Sequence, residues 1–133
     1  MEEFFRKHRN IFLAIILALA VFFRFWHIAS IPPGLFTDEA MNGNNAIEAI
    51  DTREYKVFYP ENNGREGLFI NIQALSIKLF GTEPWALRIV SGIFGTLTVL
   101  GLYLLTKQLF NKESVALLSS FFLATSFWHI NFS

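Results

Sequence analysis

Three long apolar runs divide this chain, and they constrain its fold more than any other feature. The first extends from Ile11 to Phe23, or to Ile28 if Arg24 is accommodated. The second extends from Trp85 to Thr106, broken only by Arg88, and the third from Ser114 to Phe132. A helix that crosses a bilayer needs about 20 mostly apolar residues, and lipid offers no partner for an unpaired backbone N–H or C=O. The second and third runs meet that length directly. The first meets it if Arg24 lies near a membrane face, where its stem can snorkel. Composition agrees: of 133 residues, 53% are hydrophobic and 16 are Phe. A net charge of zero gives no basis for a nucleic-acid partner. The absence of cysteine excludes disulfides, thiolate metal sites and a cysteine nucleophile.

Arg6, Lys7 and Arg9 precede the first run, and Ala18-Leu19-Ala20 has the small-residue look of a signal-peptide cleavage site. The apolar residues continue past it through Val21-Phe22-Phe23 and Phe25-Trp26, which favours an uncleaved signal-anchor helix. Lys107 and Lys112 lie between the second and third runs. Positive residues favour the cytoplasmic side, so the N-terminus and the second connection are expected there. Residues 29–84 then form an extracytoplasmic loop, whose eight acids and four bases give a net charge of −4. The expected organisation is one N-terminal part of a membrane domain, with spans at about 11–28, 85–106 and 114–132. The expected localisation is multi-pass in the inner (plasma) membrane. A natural stop at Ser133, where the third span would exit, would be odd, so the chain reads as a fragment.

Within the loop, Leu68 to Phe80 is apolar and helical in pattern. At roughly 20 Å it is too short to span, and it reads as a juxtamembrane or partly inserted helix. Gly81 ends it, while Thr82 and Pro84 suit the start of the next helix. Ile31-Pro32-Pro33-Gly34 breaks the first helix on exit. Thr37 then reads as an N-cap, with a helix from Asp38 to about Ile50. The apolar face of that helix (Ala46, Ile47, Ala49, Ile50) suggests a place on the membrane surface. Arg53 to Gly67 is polar and turn-rich. The fold class expected is therefore all-α, with three transmembrane helices and two juxtamembrane helices.

Asp38 and Glu39 sit in the first turn of the loop helix. Acids there favour the helix dipole by about 0.3–1 kcal/mol, which is reason enough for them structurally. A carboxylate just outside the bilayer also suits a general base that activates an acceptor hydroxyl or amine. Arg65 and Glu66 read either as a solvated pair or, for Arg65, as a phosphate ligand, since guanidinium matches phosphate geometry. Arg24 and Arg88, near the outer ends of their spans, read as snorkelling anchors or as functional cations. His27 and His129 stand beside Trp26 and Trp128 as interfacial belt residues. No convincing metal-ligand set is present and no cofactor is evident. Ser91, Gly92, Gly95 and Gly101 form a small-residue packing face on the second span.

The order of motifs carries a resemblance. A basic N-terminus leads to a span ending in Arg24, then Pro32-Pro33-Gly34-Leu35 and Thr37-Asp38-Glu39-Ala40. Arg65-Glu66-Gly67-Leu68 follows, then Ala74 to Gly81, Ala86-Leu87-Arg88 and Leu123-Ala124-Thr125-Ser126. This order resembles the start of the dolichyl-phosphate-mannose protein mannosyltransferase-like superfamily. That superfamily includes the lipid A aminoarabinose transferases and has the C fold class of glycosyltransferases. The resemblance implies transfer of a sugar from a polyprenyl-phosphate-linked donor to an extracytoplasmic acceptor (a protein, lipid or polysaccharide). It implies Asp38 as catalytic base with Glu39 as its companion, and Arg65 and Arg24 near the donor phosphate. The family often has His-Pro-Pro-Leu or Lys-Pro-Pro-Leu where this chain has Arg65-Glu66-Gly67-Leu68, so the prolines are missing and Glu66 is added. The rival reading is a non-catalytic membrane scaffold or transporter subunit, in which the same residues are caps, anchors and packing positions.

Overall fold

The computed structural model describes residues 1–31, 33–61 and 63–132. Those residues form six helices and one small hairpin. In chain order these are α1 (Glu2–Phe25), α2 (Thr37–Thr52), β1 (Phe58–Tyr59), β2 (Arg65–Glu66), α3 (Gly67–Phe80), α4 (Pro84–Phe110), α5 (Glu113–Thr125) and α6 (Phe127–Asn131). The chain divides into two compact units. One, the span unit, is Met1–Trp26 with the chain from Ser91 onward; the other, the loop unit, is His27–Val90.

The span unit is built on small and aliphatic contacts. Ile16 and Ala20 of α1, Val99 and Tyr103 of α4, and Ala116, Leu117 and Ala124 of α5 form its buried core. Alanines at these positions let helix backbones approach, as packing within a membrane favours. Gly92 serves the same end, since a Cβ there would lie 3.0 Å from the Phe25 ring. Nothing lies within 4 Å of such a Cβ at Gly101, so that part of the expected small-residue face is open.

Two helices, α1 and α4, are long and apolar enough to cross a membrane. α1 starts earlier than expected and takes in the basic N-terminal residues. The third apolar run is helical but interrupted. α5 has 13 residues and stops at Thr125, Ser126 is extended, and α6 adds five residues beyond it. Thr125 Oγ1 donates back to the Phe121 carbonyl at 2.9 Å, a bond that bends helices and competes with their continuation.

The α5 N-terminus is capped from far away. Its N-cap residue, Lys112, makes no side-chain cap bond. Instead Glu2 accepts from the Glu113 backbone N–H, and its carboxylate accepts from Ser114 Oγ at 2.6 Å. Glu113 in turn accepts from Tyr103 and Lys107. Burial works against the Glu113 charge, but the bonds from Lys107 and Tyr103 outweigh it and hold the carboxyl below the ordinary glutamate range.

In the loop unit, α2 packs along α3. Ala46 and the partly buried Ile47 and Ile50 meet Ile70, Ala74 and Ile77, with Tyr59 and Leu87 completing the cluster. The apolar face of α2 is therefore covered by α3, and it does not lie open to a membrane surface as its pattern suggested. α3 itself has two apolar sides. Ile70, Ala74 and Ile77 are buried, whereas Leu68, Leu75 and Leu79 are exposed. Gln73 and Ser76 donate to the carbonyls of Leu87 and Ala86 at 3.4 and 2.6 Å, tying α3 to the first turn of α4. Gly81 ends α3 at φ +93°, and Pro84 opens α4.

Candidate active site

Asp38 and Glu39 are neighbours in the first turn of α2, about 100° apart around the helix axis, and each meets a different arginine. The helix begins one residue earlier than its sequence suggested. Phe36 is the N-cap and Thr37 the first helical residue. The cap bond comes from Glu39, whose Oε2 accepts from the Phe36 N–H at 3.0 Å.

Glu39 also forms a forked ion pair with Arg88, from Nε to Oε1 at 3.1 Å and from Nη2 to Oε2 at 3.2 Å. Arg88 Nη2 donates to the Gly34 carbonyl as well. With its side chain 9% exposed, Arg88 is fixed in place, and the pair joins the start of α2 to the start of α4. Sequence reasoning left Arg88 between anchor and functional cation; within the loop unit it is the partner of Glu39.

Asp38 points elsewhere. Its Oδ1 lies 3.0 Å from Arg65 Nη2, and its side chain is 52% exposed. The other branch of Arg65 donates from Nη1 to Asn42 Oδ1 at 3.2 Å. Asn42 stands one turn after Asp38 on the same face of α2, so one helix face holds both branches of the guanidinium. Asn42 was missed in the sequence, although its spacing of four from Asp38 was readable.

A two-residue hairpin, absent from the sequence reading, supports Arg65. β1 and β2 are antiparallel, pairing Tyr59 with Arg65 and Phe58 with Glu66. Tyr59 is fully buried and donates to Asn71 Oδ1 at 2.9 Å, while Asn71 Nδ2 donates to the Lys56 carbonyl at 3.1 Å. Gly67 closes the corner: its N–H donates to the Val57 carbonyl at 2.7 Å. A Cβ at that position would sit 1.9 Å from the Lys56 carbonyl oxygen. This chain therefore excludes a proline at 67 twice over, by the N–H it needs and by the space it lacks. An open cleft of about 320 Å³ lies beside Arg65, lined by Asn42, Arg65, Glu66, Phe69 and Ile70.

Arg24 belongs to the span unit. It is 6% exposed and turns back to donate to the Ala20 carbonyl at 3.0 Å. Its Nη2 meets His129 Nδ1, and its buried Nε has no partner among the described residues. His129 is thus a neighbour of Arg24 as well as of Trp128. No group of three or more metal-ligating side chains occurs among the described residues.

The chain is thus a mostly helical protein with helices suited to a membrane and a cluster of carboxylates and arginines in one unit. Residues 68–133 match the sequence profile of the dolichyl-phosphate-mannose-protein mannosyltransferase family, and the resemblance read from the motifs holds. The match supports a glycosyltransferase of the membrane mannosyltransferase type. It takes in Arg88, α3, α4 and α5, and begins after Asp38, Glu39 and Arg65. No curated protein matches. No solved structure matches.

Proposed function

We propose that this chain is part of a membrane glycosyltransferase that moves a sugar from a polyprenyl-phosphate-linked donor to an extracytoplasmic acceptor. Asp38 is the general base and Glu39 the positioning residue that fixes the first turn of α2 through Arg88. Arg65 and Arg24 are the cations assigned to the donor phosphate. The observation that carries the reading is the 3.0 Å approach of Asp38 and Arg65, which sets a half-exposed carboxylate beside a cation able to take a phosphate in a bidentate grip. Arg24 adds a buried guanidinium with no carboxylate paired to it among the described residues, a costly arrangement that an anionic ligand would relieve.

In the reaction, Asp38 takes the proton of the acceptor hydroxyl or amine as that atom bonds to the anomeric carbon. The bond from that carbon to the phosphate oxygen breaks, and polyprenyl phosphate leaves with the electron pair. The arginines offset the charge that grows on the leaving phosphate. The N-terminus and Lys112 are assigned to the cytoplasmic side and the loop unit to the outside. Labelling a cysteine at position 112 from outside intact cells would contradict that orientation.

The direct test is donor choice in the full-length protein. Labelled sugar should pass to acceptor from a polyprenyl-phosphate donor and not from the matching nucleotide sugar. Equal transfer from both donors would overturn the proposal.

A further inference from the structure

Glu66 has no role in the mechanism above, yet it is the residue added to the motif around Arg65. It is exposed at the end of β2 and lines the cleft together with Asn42, Arg65, Phe69 and Ile70. It forms none of the ion pairs found among the described residues.

We infer that this cleft is the subsite for the sugar ring of the donor, and that Glu66 makes it selective for uncharged over acidic sugars. The inference rests on the proposed function for the identity of the donor. Four observations lead to it. First, a cleft of about 320 Å³ is at the small end for ligand sites, which run from about 300 to 1,000 Å³. It suits one ring and is too small for a folded-over peptide. Second, its lining combines the groups a sugar needs. The Asn42 amide and the Glu66 carboxylate offer donors and acceptors for hydroxyls, while the partly exposed Phe69 ring offers apolar surface to the C–H face of a pyranose. Third, the cleft shares Arg65 with the Asp38 pair. A phosphate gripped by Arg65 would have its attached ring in the cleft and its anomeric carbon toward Asp38. Fourth, the charge on Arg65 is already opposed by Asp38, so the charge left on the cleft wall is that of Glu66. A uronic acid brings its own carboxylate against that wall, whereas a neutral hexose does not.

The test reads binding rather than turnover. The full chain in nanodiscs is titrated with methyl α-mannopyranoside and with methyl glucuronide by saturation-transfer NMR, and thermal unfolding checks that each variant is folded. The mannoside is expected to bind, and the glucuronide about fivefold more weakly, the size of one screened like-charge contact. Phe69→Leu should weaken the mannoside at least about threefold by removing the flat ring, while Phe69→Trp keeps the face and the binding. Glu66→Gln should close the gap between the two glycosides. No transfer to either glycoside, or mannoside binding unchanged in a folded Phe69→Leu variant, would overturn the subsite. A gap that survives Glu66→Gln would overturn the selectivity role. Donor choice between lipid-linked and nucleotide sugar tests the proposed function separately, so failure of one assay is not failure of the other.

Discussion

Two carboxylates, one in each unit, are held in opposite ways. In the span unit, the Glu113 side chain is 3% exposed and accepts from Tyr103 and Lys107. In the loop unit, the Asp38 side chain is 52% exposed and meets Arg65 from one side. A buried carboxylate with several fixed donors ties elements together and is poorly placed to take a proton from a substrate. A half-exposed one paired with an arginine at the surface can exchange that partner for a substrate. Glu39 lies between these extremes, with its side chain 33% exposed and both oxygens engaged by Arg88, and by its bonds it sides with Glu113. The comparison separates adjacent residues: Glu39 ties the start of α2 to that of α4 through Arg88, and Asp38 is the one to which the proposed function gives the role of base.

The comparison breaks first at Arg88. Removing one partner of a buried pair strands the other, at about 3–5 kcal/mol. Because Glu39 is one-third exposed, Arg88→Ala should cost about 3 kcal/mol of stability, at the low end of that range. Chemical unfolding would measure it, and a loss near zero would make the pair incidental. Gly67→Ala comes next. With its Cβ forced against the Lys56 carbonyl, overpacking should cost about 1–3 kcal/mol, and donor affinity should fall with stability because Arg65 rides on the same corner. Arg65→Ala should weaken donor binding about tenfold, the scale of one hydrogen bond to a charged group. Arg65→Lys should recover part of it, since the charge survives and the fork is lost.

The smallest effect is at Glu113. Its folded carboxyl titrates below the ordinary glutamate range, so the unfolded chain binds its proton first as pH falls. The stability it contributes is present above the ordinary glutamate value and is lost as pH drops through the lower folded value. Thermal unfolding against pH should show a slope on that acid side. Glu113→Gln should flatten it while leaving donor binding unchanged.

Much of this was legible in the sequence. Apolar runs and punctuation such as Gly81 and Pro84 locate the helices because those signals are local. The Asp38-Glu39 pair stands out for the same reason. What escaped depends on residues far apart in the chain. The Glu39–Arg88 pair spans 49 positions and the Glu2 cap on α5 spans 111, beyond the reach of any periodicity. The α2 stripe of Ala46 and Ala49 has the same pattern whether it meets a membrane or α3, so its partner could not be read from it. The hairpin has two residues per strand, too few to alternate, and its register depends on Tyr59 and Gly67 meeting the chain around Lys56. The interruption at Ser126 was hidden because apolar residues flank the Thr125-Ser126 pair on both sides.

The central claim is that exposure and partners, rather than adjacency, decide which carboxylate is the base. Turnover and thermal stability of full-length Asp38→Asn and Glu39→Gln, measured side by side, test it most directly. Asn keeps the shape of Asp38 and removes its basicity. General base catalysis is worth about 10²–10⁴-fold, or roughly 3–5 kcal/mol. Asp38→Asn is therefore expected to lose turnover by that factor with stability changed by less than about 1 kcal/mol. Glu39→Gln is expected to lose stability first, with turnover in the folded fraction falling less than for Asp38→Asn. If Asp38→Asn keeps turnover within about threefold of wild type, a loss under 1 kcal/mol, Asp38 is a structural residue and the account is wrong.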